Sequence, residues 1–337
     1  MTDASTSPVG VVLLQFGGPD SLEAVEPFLY NLFNDRDIIT FPFGPRFQKV
    51  FAKGISKRRA PTVAEKYGEI GGKSPIVQKT LEQTEALQAR FLREPLPFPV
   101  RVIHAMRYWK PFTEEAVNTL TSEGIRDIVL LPLYAQYSKT NAGSSYNEWD
   151  RVTKRLGVTF SERRIEEYRS DGKYLQALSE RIDQALAKFP DPSKVRLLFT
   201  AHGTPVDMVF GGDPYVYHIR DTMEALMRLR GDDLPYQLSF QSKVGPKQWL
   251  TPSTFATFEE LGNEGVKDLL VIPIAFVSDH IETLHELEIE GREVTDKAGI
   301  ERMIVMEGLN DYPLFIEALF DLAMKEIAIL RPNEMKQ

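Results

Sequence analysis

Seven ionisable side chains crowd into the stretch 276–290, F-V-S-D-H-I-E-T-L-H-E-L-E-I-E, which continues directly from the apolar run 269–276. Charge collected at the end of a buried strand must be solvated by water, protons, a metal ion or a basic partner. On a helix beginning near Ser278, Glu282, Glu286 and Glu290 recur every four residues and share one face, with Asp279 three residues before Glu282. Like charges so spaced repel by roughly 0.2–0.5 kcal/mol per pair unless a cation passes along them. Two readings stand here: a path for metal ions or protons, and a solvated acidic face.

His202 follows the apolar run 196–201 and precedes Gly203, which permits a sharp turn and close approach of a ligand. An imidazole there suits general-base chemistry near neutral pH. His280 lies inside the acidic stretch as a ligand or an orienting group, and His285 beside Glu286 reads equally as surface. His104 and His218 read as structural. The turn Gly17-Gly18-Pro19-Asp20 lacks the spacing of a phosphate-binding loop and is explained by a turn into a helix capped by Asp20 with Glu23.

Residues 28–51 carry Phe28, Leu29, Tyr30, Leu32, Phe33, Ile38, Ile39, Phe41, Phe43, Phe47 and Phe51, followed by Lys53, Lys57, Arg58 and Arg59. An apolar lip with a basic rim suits a hydrophobic ligand bearing carboxylates, or a membrane surface. An ordinary amphipathic helix pair accounts for the same pattern.

The elements that must position these groups read as α/β. Short β-rich runs at 9–15, 100–104, 127–134, 196–201, 236–241, 268–274 and 302–306 alternate with amphipathic segments. Runs as apolar as 128–133 and 269–274 imply a parallel sheet covered on both faces. An internal repeat strengthens this: E-G-I-R-D-I-V-L-L-P-L at 123–133 matches E-G-V-K-D-L-L-V-I-P-I at 264–274, an offset of 141 positions. Phe16-Gly17-Gly18-Pro19 is echoed by His202-Gly203-Thr204-Pro205. The expected fold is two similar doubly wound, Rossmann-like parallel-sheet halves around a central cleft, with a hinge near 158–171. Domain bounds are expected at 1–160 and 161–312, with a helix at 313–337 packing back on the first half.

Composition narrows the function. The 337 residues fit two domains, and 42% hydrophobic with 26% charged residues is a globular balance. Forty basic against 48 acidic residues, net −8, argue against a nucleic-acid surface. Zero cysteines exclude disulfides, thiolate nucleophiles and cysteine-ligated iron–sulfur clusters, so metal chemistry must use His, Asp and Glu. No secretory signal is read at the N-terminus, and no apolar run approaches the roughly 18 residues of a membrane span. A cytoplasmic location is expected, with peripheral contact at the inner face of the cell membrane through the lip from Phe28 to Phe51.

Ordered motifs run through the chain: L-L-Q-F-G-G-P at 13–19, F-L-Y-N-L-F-N-D at 28–35, I-G-G-K-S-P-I at 70–76, and M-R-Y-W-K-P-F-T-E-E-A at 106–116. L-Y-A-Q-Y-S with G-S-S follows within 133–145, then A-H-G-T-P with G-D-P-Y within 201–215, and Q-S-K-V-G-P-K-Q-W-L at 241–250 before the acidic stretch. Together these resemble the ferrochelatases, lyases that insert ferrous iron into a porphyrin in heme biosynthesis. The resemblance covers nearly the whole chain and points to a bacterial, protoporphyrin-type member without an iron–sulfur cluster.

The resemblance implies a chelatase-like fold in which His202 accepts pyrrole protons and Glu282 lies across the same pocket, both able to meet the metal. Asp279, His280, Glu286 and Glu290 would form a metal or proton relay. Phe16, Arg107, Tyr108, Tyr134, Trp249 and Phe276 match positions lining the macrocycle; Arg59 and Ser74 match positions holding propionates. Thr62, where some relatives have a basic residue, and T-N-A-G-S-S in place of T-T-G-S-S depart from the pattern at the propionate contacts. The implied reaction gives protoheme from protoporphyrin IX and Fe2+ with release of two protons. Iron is a substrate, no cofactor is tightly bound, and a monomer is expected. Alternatives are a coproporphyrin ferrochelatase, a sirohydrochlorin chelatase, and a non-catalytic tetrapyrrole or heme carrier.

Overall fold

The computed structural model describes residues 7–39, 44–243, 245 and 247–335, without the side chains of Pro45 and Arg46. Phe41 and Phe43 of the lip, and Val244 and Pro246 of the 241–250 motif, lie outside the described residues. The chain divides into two units: Met1–Glu167 with Asn310–Gln337, and Tyr168–Leu309.

In the first unit the strands are β1 (Val9–Gln15), β2 (Val100–Met106), β3 (Asp127–Pro132) and β4 (Ser161–Arg164), all parallel in the order β2-β1-β3-β4. β1 is buried at every residue and β3 at all but its first, because helices cover both faces. The helices are α1 (Val25–Asn34), α2 (Pro45–Glu69), α3 (Ile76–Leu92), α4 (Thr113–Ser122) and α5 (Ala142–Leu156). The last helix of the chain, Pro313–Leu330, also belongs to this unit. Arg331, at its end, is 8% exposed and tied to Asp127 of β3 and to Ser7.

The second unit repeats the plan with β5 (Arg196–His202), β6 (Tyr236–Gln241), β7 (Asp268–Pro273) and β8 (Arg302–Val305), parallel in the order β6-β5-β7-β8. Its helices are α6 (Gly172–Leu186), α7 (Val206–Phe210), α8 (Tyr215–Arg230), α9 (Thr254–Asn263) and α10 (Gly291–Ala298), the last continuing a π-helical segment, Glu282–Glu290; the terminal helix is α11. The internal repeat falls on β3 and β7, so one strand plan is used twice. Among solved folds this is a doubly wound arrangement, with ligands expected beyond the carboxyl ends of the strands.

Three local expectations change. The hinge region holds β4, whose sequence Ser-Glu-Arg-Arg gives no apolar signal because it is a half-exposed edge strand. The first helix starts at Val25 with no side-chain cap; Ser21, not Asp20, holds the turn, its hydroxyl and carbonyl accepting from the Ala24 amide. The lip divides in two: Phe28, Leu29 and Phe33 of α1 are core, whereas Phe47, Val50 and Phe51 of α2 are 50%, 68% and 39% exposed. Spacing at i, i+3 and i+4 gathers those three on one helix face.

Candidate functional site

In the second unit, His202 is the last residue of β5, and its turn depends on a glycine. A Cβ at Gly203 would lie 2.9 Å from the Gln241 carbonyl and 3.3 Å from the Trp249 ring, so only glycine lets the chain pass there. The His202 Nδ1 lies 2.5 Å from the Gly203 carbonyl. A carbonyl can only accept, so Nδ1 carries hydrogen and the neutral ring keeps its lone pair on Nε2. That nitrogen faces Glu282 Oε1 at 3.9 Å, while Glu282 Oε2 faces His280 Nε2 at 3.8 Å. These distances exceed hydrogen-bond length, and Glu282 Oε2 and both His280 ring nitrogens are buried without a hydrogen-bond partner. Burial raises the Glu282 carboxyl, but the neighbouring imidazoles, when protonated, outweigh it and hold it below the ordinary range. Trp249 stands 6.1 Å from the His202 ring and Phe276 4.2 Å from that of His280, centre to centre.

The acidic stretch is not the α-helix that its four-residue spacing suggests. It starts as a turn, with Thr283 Oγ1 accepting from the His280 amide and donating to the His280 carbonyl, and continues as the π-helical segment. Thr283, His285 and Leu287 are buried, an alternation that no α-helical stripe gives. Glu286 receives the Ser242 amide at 2.8 Å and its hydroxyl at 2.6 Å. Even so, burial and the nearby Glu282 charge push its carboxyl up. Beneath lies a buried polar chain: Thr200 donates to Gln241 Oε1 at 2.9 Å, and Gln241 Nε2 reaches the Glu282 carbonyl at 3.5 Å. The row then diverges. Glu290 lies 3.7 Å from His285, and Asp279 accepts from the Gly308 amide at 3.0 Å and faces Glu288. Among the described residues no group of three or more His, Cys, Asp or Glu could hold a metal ion, and His202 and Glu282 stand as a pair.

In the first unit, Phe16, Arg107 and Tyr134 are half-buried beyond the ends of β1, β2 and β3. Tyr108 is only 1% exposed, its ring set edge-on to Phe16 at 4.7 Å. It is thus buried against Phe16, where the resemblance implies a residue lining the macrocycle. Ser74 is 3% exposed; its amide donates to Pro19, and a Cβ on Gly18 would lie 2.5 Å from its hydroxyl, so it locks the 16–19 turn instead of offering a propionate contact. Arg59 is exposed, with its guanidinium 5.6 Å from the Phe33 ring. The Tyr134 hydroxyl is close to that of Ser145, neither forms a complete hydrogen bond, and burial raises the phenol. His104 bonds Thr84 at 2.9 Å, which supports a structural role.

Sequence reasoning missed four contributors: Ser242, Gln241, Asp35 and Ser144. The first two open the quoted motif at 241–250, from which sequence reasoning takes only Trp249. Asp35 and Ser144 ended or sat within quoted motifs, but their convergence on Arg107 is set by tertiary structure.

A family model described as Ferrochelatase matches residues 8–327. The ferrochelatase of Geotalea daltonii is 45% identical over 313 residues, 93% of this chain and 96% of that relative. That of Aquifex aeolicus is 44% identical over 319 residues, 94% of this chain and 99% of the relative. Among solved structures, SirB from Bacillus subtilis with Fe3+ aligns with a TM-score of 0.56 at 13% identity, covering 97% of this chain and 98% of that one, a likeness of fold.

Proposed function

The chain belongs to the ferrochelatase family and is an enzyme of heme biosynthesis that inserts a metal into a porphyrin; we propose that its substrates are ferrous iron and protoporphyrin IX. The observation that carries the chemical assignment is the Glu282 carboxylate, which faces His202 Nε2 at 3.9 Å through one oxygen and His280 Nε2 at 3.8 Å through the other, both beyond hydrogen-bond length. Buried polar atoms without partners are costly, and a proton or cation arriving between them removes that cost.

Metallation exchanges two pyrrole N–H protons for one divalent cation. His202 Nε2, held as an acceptor by the Nδ1 contact to Gly203, takes a proton, and the Glu282 carboxylate stabilises the imidazolium so formed. Imidazole and carboxylate are also ligands that ferrous iron accepts in place of water. Glu286, with its carboxyl pushed up, is suited to receive and release protons; His280 belongs to the same relay, with Asp279 and Glu290 at its outer end. Trp249, Phe276, Phe16, Arg107 and Tyr134 are assigned the contacts to the macrocycle. Tyr108 and Ser74 support them from behind, and Arg59 is left as the propionate contact. No resident cofactor takes part: iron enters as substrate.

The exposed Phe47, Val50 and Phe51 face supports protoporphyrin, the less polar substrate, and peripheral attachment to a membrane surface. No described helix is long and apolar enough to cross a membrane.

Anaerobic assays with ferrous iron and each porphyrin, read by absorbance, test the substrate; faster turnover of coproporphyrin would replace the protoporphyrin reading. In the same assay His202→Ala is expected to lower turnover by about 10²–10⁴-fold with porphyrin affinity retained. Near-normal turnover would remove its role as base.

A further inference from the structure

Asp35, which follows α1, is a buried carboxylate on which three side chains from two other parts of the first unit converge. Its side chain is 2% exposed. Its Oδ2 accepts from the Tyr108 hydroxyl at 2.6 Å, from the Ser144 hydroxyl at 2.6 Å and from Arg107 Nη2 at 2.9 Å, while Oδ1 accepts from the Asp37 amide at 2.9 Å. Ser144, on the first turn of α5, also accepts from Arg107 Nε at 2.9 Å. A planar guanidinium bonded through two of its three nitrogens has its plane and azimuth fixed. The remaining nitrogen, Nη1, lies 3.7 Å from Glu148, and the guanidinium carbon is 4.9 Å from the centre of the Tyr108 ring.

This connectivity has a use beyond stability. Arg107 is 12% exposed, so its charge is mostly removed from water and must be matched inside the protein. Tyr108 is buried behind it and makes the edge-on contact to Phe16. A guanidinium fixed before substrate arrives loses little freedom on binding, which is the advantage of preorganised sites.

We propose that Asp35 is a positioning residue for the reaction, the carboxylate that fixes the orientation of Arg107, with Ser144 as its partner; this rests on the assignment of Arg107 to the porphyrin site. Asp35 touches neither substrate and acts only through the guanidinium.

A double-mutant cycle tests it, with porphyrin affinity read by fluorescence and turnover by anaerobic iron insertion, on variants whose fold is verified by circular dichroism. Asp35→Asn is expected to lower kcat about tenfold while the porphyrin Kd changes less than about threefold, and to change kcat by at most about twofold when added to Arg107→Gln. An equal fold-loss in both backgrounds would reduce Asp35 to a general structural role and overturn the proposal, as would unchanged kcat in folded Asp35→Asn. If Arg107→Gln alone leaves turnover and affinity unaltered, the assignment of Arg107 to the site fails and the proposal falls with it, an outcome distinct from the other two. Should Asp35→Asn not fold, Ser144→Ala removes one bond and keeps the ion pair. It is expected to cost about threefold in kcat in the parent and nothing further beside Arg107→Gln; the same loss in both backgrounds overturns the proposal.

Discussion

At the scale of single residues, the buried ion pair of Asp35 and Arg107 sets a pH dependence. Burial alone would raise the Asp35 carboxyl, but Arg107, Ser144 and Tyr108 together hold it below the ordinary carboxylate range. The native state therefore binds fewer protons than the unfolded chain, whose Asp titrates at about 3.9. The stability this supplies is complete above that unfolded value and is lost as pH falls through the lower native one. Asp35→Asn should abolish this part of the acid sensitivity and cost about 3–5 kcal/mol at neutral pH, because Arg107 is left buried and uncompensated. Urea unfolding at pH 7 and below pH 4 measures both; parallel loss at the two pH values would show that the carboxylate's charge is not what matters. Glu286 behaves oppositely. Its native value is raised, so its contribution falls as pH rises from the unfolded value through the native one. A group held against stability in this way is more economically explained by proton handling than by structure.

At the scale of elements, the π-helical segment decides how the acidic row is displayed. π-helical turns are rare and are concentrated at functional sites. Here nine residues, Glu282–Glu290, adopt one, and it is held by packing. Leu287 is fully buried against Leu198, Phe258, Leu261 and Val271, and a Cβ at Gly291, where α10 begins, would meet Phe258 at 3.2 Å. Ser242, with a φ of 66°, clamps Glu286 from the other side. Leu287→Ala should cost about 2–5 kcal/mol by cavity formation and speed hydrogen exchange of the 282–290 amides more than that of β7. Unaltered exchange in that segment would show that the core contact does not maintain its geometry. The corresponding place in the first unit carries α5, an α-helix, with Ser144 and Ser145 facing Arg107 and Tyr134. One strand plan thus carries a π-helical acidic segment in one unit and an α-helix packed on Arg107 and Tyr134 in the other.

At the scale of the whole molecule, charge is unevenly distributed. The chain carries net −8, yet Lys49, Lys53, Lys57, Arg58 and Arg59 are all exposed on α2, beside the Phe47, Val50 and Phe51 face. Basic residues next to exposed aromatics attract anionic headgroups, at about 1 kcal/mol each close to a charged surface, and salt screens the attraction. The protein should co-sediment with phosphatidylglycerol vesicles at low salt, with binding reduced about tenfold or more at physiological ionic strength. Phe47→Ser with Phe51→Ser should weaken the residual, salt-resistant part. Equal binding to neutral vesicles, or none at low salt, would count against membrane attachment through this face.

The sequence by itself determined the two parallel sheets, because β3 and β7 are buried on both faces and so read as uninterrupted apolar runs that repeat within the chain. It also determined the family, through ordered motifs, and the pairing of His202 with Glu282, which those motifs implied and the second unit brings within 4 Å. It could not show β4, where an exposed edge selects charge over apolar residues, nor separate the aromatics of α1 that are core from those of α2 that are not. Tyr108 and Ser74 look like ligand contacts as letters, and their burial appears only when neighbours distant in the chain close over them. Asp35 and Ser144 lie 109 positions apart and meet on one oxygen. Periodicity reports the environment of consecutive residues, whereas a convergence of this kind exists only once strands and helices have packed, so tertiary structure alone decided it.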